Sequence, residues 1–198
     1  EPGFDVTDLG DSPGPKGAVC SPGGVWGDYI YIGDSNANAI ERIDFFDTVS
    51  FFAGGAPDTQ FPVGMVFGLG PASNFGTFLY VASYGSQRIT RVDPSGIPSL
   101  FADSLVVSDV TFDPSGTYST DLFWVEYFGG IHTITPGGVS TPFATGIQSS
   151  YFRFGPGGAW GTGLYATSNN AVPGIGIITI DSFGNSSLFS GGMNIPEQ

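Results

Sequence analysis

The chain is poor in basic residues and in cysteine, and each shortage excludes a class of function. Lysine and arginine number 5 against 18 aspartates and glutamates, so the net charge is −13. Such an excess of negative charge disfavours nucleic acid and anionic membrane surfaces as partners. The single cysteine, Cys20, excludes an intrachain disulfide and any paired-cysteine metal or redox site. Its place in a predicted strand indicates a buried, unreactive thiol.

Helical periodicity and long hydrophobic runs are also missing. No segment repeats apolar residues at the spacing of an α-helix, and no apolar run is long enough to cross a bilayer. Glycine (32) and proline (15) are abundant, while Phe, Tyr, Val and Ile are common in the segments between them. Short strands joined by tight turns are typical of this combination. The composition therefore predicts an all-β protein without membrane insertion.

Motifs for catalysis are scarce as well. His132 is the only histidine, and no GxSxG elbow is present to expose a nucleophile. Phosphate-binding loops, dinucleotide fingerprints and paired-histidine metal motifs are missing from the sequence. These observations favour a binding or scaffold function over catalysis.

One six-residue pattern, by contrast, occurs four times without a gap. Each copy reads aromatic, small residue, turn residue, any residue, aliphatic, aromatic. The copies begin at Trp26, Phe75, Tyr118 and Trp160, which are 49, 43 and 42 residues apart. A recurring period of this size indicates a repeat architecture.

Each copy lies within a series of four short predicted strands, which is the pattern of a β-propeller blade. A single blade cannot bury both of its faces, so the first aromatic residue of each motif is expected to pack between neighbouring blades. The predicted blades are residues 15–53, 54–102, 103–144 and 145–190, flanked by 1–14 as the tail of a preceding blade or a closing strand and 191–198 as the start of a next blade or a closing tail.

Two segments resemble NHL-type repeats. They are YIYIGDSNANAIERIDFFD (29–47) and LYVASYGSQRITRVDPSG (79–96). The likeness to the six-bladed gluconolactonase/NHL propeller superfamily covers nearly the whole chain and implies a β-propeller fold. Because this superfamily usually closes with six blades, four repeats leave three alternatives open. The chain is part of a longer propeller, a closed four-blade ring, or an open arc completed by a partner chain.

Acidic residues interrupt the repeat at three positions expected near the mouth of the central channel. Asp34 and Glu126 come after the predicted second strands of their blades, and Asp109 lies in an innermost strand, where other copies have small or neutral residues. Converging carboxylates, with the amide oxygen of Asn169, would suit Ca²⁺, which prefers oxygen ligands. The alternative is that each carboxylate caps a turn or faces solvent.

Three tyrosines occupy positions expected near the channel mouth and are candidate ligand-binding residues. Tyr84 and Tyr127 follow second strands, and Tyr151 lies at an innermost-strand position. Tyrosine offers a large contact surface together with a hydroxyl group that forms hydrogen bonds.

The sequence therefore predicts a β-propeller that binds or scaffolds protein or carbohydrate partners. Scarce lysine, abundant Gly, Asn, Ser and Thr, and the lack of an initiator methionine indicate an extracellular or periplasmic protein whose signal peptide has been removed. Two alternatives remain. One is a calcium-dependent hydrolase or lactonase, which the resemblance to the gluconolactonase type implies; the other is an accessory subunit of a larger extracytoplasmic assembly.

Overall fold

The structure is a computed structural model that describes residues 14–55, 57–70, 73–169 and 175–191. The described residues form four antiparallel sheets of four strands each, and in every sheet the strands follow one another in chain order. This arrangement confirms the predicted all-β propeller of four blades.

The sixteen strands divide evenly among the blades. Their bounds are β1 (Pro15–Cys20), β2 (Ile30–Asp34), β3 (Ala39–Ile43) and β4 (Val49–Gly54) in blade 1; β5 (Pro62–Phe67), β6 (Leu79–Ser83), β7 (Arg88–Val92) and β8 (Pro98–Ala102) in blade 2; β9 (Val107–Phe112), β10 (Leu122–Glu126), β11 (Gly129–Ile134) and β12 (Ser140–Ser149) in blade 3; β13 (Phe152–Phe154), β14 (Leu164–Ser168), β15 (Gly176–Ile180) and β16 (Ser186–Gly191) in blade 4.

Helix is confined to two single turns of 3₁₀ helix, Gly24–Trp26 and Gly158–Trp160, within the described ranges. No helix in this part of the chain is both long and apolar enough to cross a membrane. Strand β12 continues to Ser149, beyond the boundary at residue 144 expected for blade 3. The predicted flanks, residues 1–14 and 191–198, lie outside the described residues except for Gly14 and Gly191.

The inner strands β1, β5, β9 and β13 contact one another in this order. Their approach is so close that glycine is required at two facing positions. A Cβ atom at Gly17 would overlap the carbonyl oxygen of Val63, and one at Gly64 would lie 2.8 Å from the Cα atom of Asp109. Asp109 itself occupies the equivalent position in β9, so a carboxylate lies among the closely packed inner strands.

Aromatic residues fill the layers between blades, as the repeat pattern predicts. The ring of Trp26 lies 4.8 Å from that of Phe67 in blade 2, centroid to centroid, and its indole N–H donates a 2.9 Å hydrogen bond to the Thr77 carbonyl. The second layer pairs Phe75 with Phe112 at 4.9 Å. Blades 3 and 4 meet through a third such pair, Tyr118 and Phe154 at 5.2 Å.

Trp160 is the exception among the four motif aromatics. Its side chain is 60% exposed, whereas Trp26 is 3% exposed. The prediction of a buried Cys20 is also wrong, because this thiol is exposed. Cys20 occupies the repeat position of Phe67, which is covered by the preceding blade, and no described blade precedes blade 1.

Truncation of the two repeat-equivalent tryptophans tests this packing. We expect Trp26→Ala to lower the free energy of unfolding by about 3–5 kcal/mol, because it empties a closed aromatic layer. The matched variant Trp160→Ala should change it by about 0.5 kcal/mol or less, as is usual for a surface substitution. Urea titrations at low micromolar protein, followed by circular dichroism, measure both effects. Equal losses would contradict the assignment of the aromatic layers.

Candidate functional site

A cavity of about 490 Å³ lies at one end of the inner strands. Its wall is formed by residues at the beginnings of the inner strands and in the turns that follow the second strands of blades 2 and 3. The lining residues are Lys16, Phe61, Val63, Tyr84, Ser108, Tyr127, Ser150 and Tyr151.

Irregularities in strand pairing direct three of these side chains into the cavity. Lys16 and Val63 are extra residues at register shifts in the β1–β2 and β5–β6 pairs. Ser108 is the corresponding extra residue in the β9–β10 pair. A β-bulge leaves one residue unpaired and changes the direction of its side chain. Ser150 occupies the same repeat position in blade 4, so all four blades contribute this position to the cavity.

The structure brings together the three tyrosines identified by the repeat alignment. Tyr84 and Tyr127 lie with ring centroids 5.0 Å apart in an edge-to-face arrangement, and Phe61 lies 6.1 Å from Tyr84. Tyr151 is half exposed at the same cavity. Their role in ligand binding stays a prediction, now with a common location.

The polar groups of the cavity are few and distinctive. Lys16 is the only lysine in the chain, and its ammonium nitrogen lies 6.0 Å from the centroid of the Phe61 ring. None of the eight lining residues is acidic. The hydroxyl of Ser108 donates a 2.9 Å hydrogen bond to the Ser150 carbonyl. The Ser150 hydroxyl is buried and has no hydrogen-bond partner among the described residues.

The residues predicted to bind calcium are held by other contacts. The carboxylate of Asp34 accepts two backbone N–H bonds at 2.8 and 2.9 Å from the turn that follows it. Glu126 Oε2 lies 3.9 Å from His132 Nε2, and the backbone N–H of Asn169 donates to the Gln148 carbonyl. In the described ranges, no three Asp, Glu, His or Cys side chains are grouped so that they could hold a metal ion. The calcium site therefore stays a prediction from sequence alone.

Asp109, the remaining calcium candidate, joins blades 3 and 4 beside the cavity. It is 1% exposed, and its carboxylate forms an ion pair with Arg153. Backbone N–H groups of Val110 and Phe152 donate to the same carboxylate at 2.9 and 3.4 Å. Burial raises the pKa of Asp109, while the Arg153 guanidinium acts in the opposite direction. This carboxylate therefore holds β13 against β9.

These features define the class of protein: a β-propeller with an aromatic cavity at one end of its inner strands. No protein-family model matches the chain, and no curated protein matches it. Among solved structures, virginiamycin B lyase from Staphylococcus aureus is similar, with a TM-score of 0.60 and 17% identity over 89% of this chain and 70% of that chain. A putative 6-phosphogluconolactonase from Bacteroides uniformis gives a TM-score of 0.54 and 21% identity over 87% and 52% of the two chains.

A chain in the nidogen/laminin complex is also similar, with a TM-score of 0.56 and 17% identity over 76% of this chain and 57% of that one. At such low identities the similarity shows the fold alone. It confirms the predicted β-propeller fold. The chain spans between 52% and 70% of the length of these three structures.

Loss of the Arg153 guanidinium should make stability depend on pH. In Arg153→Met the buried carboxyl of Asp109 loses its cation, so its folded-state pKa rises further above the unfolded value of about 3.9. A raised folded-state pKa stabilises the protein below the unfolded pKa, and this stabilisation is lost as pH rises through the folded pKa. We expect a loss of about 1–3 kcal/mol at neutral or higher pH, toward the lower end because solvent screens an exposed guanidinium.

Urea titrations on both sides of the carboxyl's titration range check this expectation. The loss should shrink in acid, where Asp109 is protonated and no longer needs a cation. The double variant Asp109→Asn, Arg153→Met is the control, and its stability relative to Asp109→Asn should not change with pH. A loss in Arg153→Met that is equal in acid and at neutral pH would contradict the ion-pair assignment.

Proposed function

We propose that this chain is a binding module that takes an extended segment of a protein partner into the cavity at the end of its inner strands. The observation that supports this proposal is the lining itself, which combines three tyrosines, a phenylalanine and the only lysine of a strongly acidic chain. The export expected from composition remains part of the proposal.

The aromatic lining favours a polypeptide ligand. Tyrosine provides a large contact area with few rotatable bonds and can also form a hydrogen bond, which is why it is enriched where proteins bind one another. A cavity of about 490 Å³ accommodates a few side chains rather than a whole domain. The propeller neighbour from the nidogen/laminin complex lies in a structure with a protein partner, which supports the same class of ligand.

The charge distribution favours a segment that contains a carboxylate. The net charge of −13 repels anions from most of the surface, but Lys16 places a positive charge at this cavity. The ammonium group lies 6.0 Å from the centroid of the Phe61 ring, at the outer limit of a cation–π interaction. We therefore expect an Asp, a Glu or a C-terminal carboxylate next to an aromatic or aliphatic side chain.

Selection from a phage-displayed library of random peptides on the immobilised full chain tests this function. Selected peptides should be enriched in carboxylates adjacent to apolar residues, and calorimetry should show that they bind the wild-type protein. Tyr127→Ala should weaken binding at least about tenfold, which corresponds to roughly 1.4 kcal/mol. Lys16→Met should weaken binding of the carboxylate peptide but not of the peptide with an amide in its place.

Phe183→Ala is the matched control, because this aromatic residue is 86% exposed and does not line the cavity. It should bind the selected peptides as the wild-type protein does. Tight binding by Tyr127→Ala would contradict the proposed site. Failure to select any peptide, together with tyrosine-dependent binding on a glycan array, would replace the protein partner with a carbohydrate.

A further inference from the structure

Every blade has a trailing face, turned toward the next blade in the chain, and a leading face, turned toward the preceding one. In the first interblade layer, Trp26 and Tyr31 of the trailing face of blade 1 pack with Leu79 and Val81 of the leading face of blade 2. Phe67, also on the leading face of blade 2, completes the aromatic contact with Trp26. The layer thus combines aromatic and aliphatic side chains from both blades.

The same interface occurs twice more, with residues at equivalent repeat positions. The second layer contains Phe75 and Tyr80 of blade 2 with Phe112, Leu122 and Trp124 of blade 3. The third contains Tyr118 and Phe123 of blade 3 with Phe154, Leu164 and Ala166 of blade 4. One mode of packing therefore joins every consecutive pair of blades.

The trailing face of blade 4 has the same local construction as the covered ones. Its Tyr165 hydroxyl donates a 2.7 Å hydrogen bond to the carbonyl of Trp160. The equivalent bond in blade 1, from Tyr31 to the carbonyl of Trp26, is 2.8 Å long, and blade 2 has its counterpart at 2.8 Å. The fourth trailing face therefore has the local conformation that blades 1 and 2 use for packing.

This face is nevertheless open in the described part of the chain. Trp160 is 60% exposed and Phe189 is 51% exposed, and an apolar groove of about 460 Å³ runs between them and Tyr165 and Ile177. Clustered apolar side chains of this kind on a surface mark an interaction site more often than single exposed ones do.

The opposite end of the chain presents the matching surface. Cys20, Ile30 and Ile32 on the leading face of blade 1 occupy the repeat positions of Phe67, Leu79 and Val81, which cover a trailing face. Cys20 is exposed, and Ile30 and Ile32 are only partly buried. The described residues thus offer one open trailing face and one open leading face.

We propose that the trailing face of blade 4 binds the leading face of blade 1 in a second copy of this chain, which repeats the interface used three times within it. In this contact Trp160 would lie opposite Cys20, which stands where the other three blades have phenylalanine. Because the contact joins different surfaces, two copies can form it twice and close a ring, or further copies can extend it.

A disulfide trap tests the contact directly. Trp160→Cys places a thiol opposite Cys20 of the second copy, so mild oxidation should yield covalent dimers or larger species on a non-reducing gel. The double variant Trp160→Cys, Cys20→Ser should lose these species, which excludes pairing between two thiols at position 160. Phe183→Cys, an even more exposed site in a turn of the same blade, is the control and should give far less covalent product.

Association of the wild-type protein provides a second measurement. Trp26 and Trp124 are 3% and 4% exposed, so quenching by acrylamide reports mainly on Trp160. Between micromolar and several hundred micromolar protein, sedimentation should show association while quenching falls at least about twofold. Trp160→Ser should remain monomeric. Binding of peptides at the cavity should be unaffected by this substitution, so the two proposals can fail separately.

Three results would overturn the proposal. The first is a wild-type chain that remains monomeric, with Trp160 accessible to acrylamide, at every concentration tested. The second is association that Trp160→Ser leaves unchanged, which would place the contact elsewhere. The third is a disulfide between position 160 and Cys20 within one chain, which would show that the two faces meet in the same molecule.

Discussion

The aromatic layer between consecutive blades is the interaction on which the rest of the structure depends. A four-stranded blade has two apolar faces and can bury neither by itself, so its stability comes from the blade beside it. Trp26, Phe75 and Tyr118 each contact an aromatic residue of the following blade at centroid distances of 4.8–5.2 Å. This repeated contact fixes how one blade is placed against the next.

That placement also creates the cavity. Stacking brings the inner strands so close that Gly17 and Gly64 have no room for a side chain. The residues immediately before these glycines, Lys16 and Val63, are unpaired at bulges and line the cavity instead. Two backbone requirements therefore place the positively charged Lys16 at the cavity of this acidic chain. One is the close approach of the strands at Gly17, and the other is the bulge at the preceding residue.

The fold could be predicted from the sequence because its cause is a repeat, and repeats are visible in a single chain. The same alignment identified Tyr84, Tyr127 and Tyr151, which the structure brings to one cavity. It missed Lys16 and Ser108 because a bulge reverses the direction of a side chain, and two-residue alternation does not reveal bulges. It also predicted that Asp34, Asp109, Glu126 and Asn169 lie together near the channel mouth. In the structure the carboxylates have local partners, which an alignment of repeat positions does not show.

Asp109, an acidic residue that departs from the repeat, connects the contact between blades 3 and 4 with the neighbouring cavity. Blades 1 and 2 meet at the inner strands through glycine and backbone, whereas blades 3 and 4 meet through a buried carboxylate, Arg153 and the backbone N–H of Phe152. The neighbouring Ser108 extends this polar joint to the Ser150 carbonyl. Since Ser108 and Ser150 both line the cavity, a ligand bound there lies against this joint. Polar contacts depend more strictly on geometry than an apolar layer does. Ligand binding in the cavity should therefore disturb the contacts between blades 3 and 4 before it disturbs the aromatic layers.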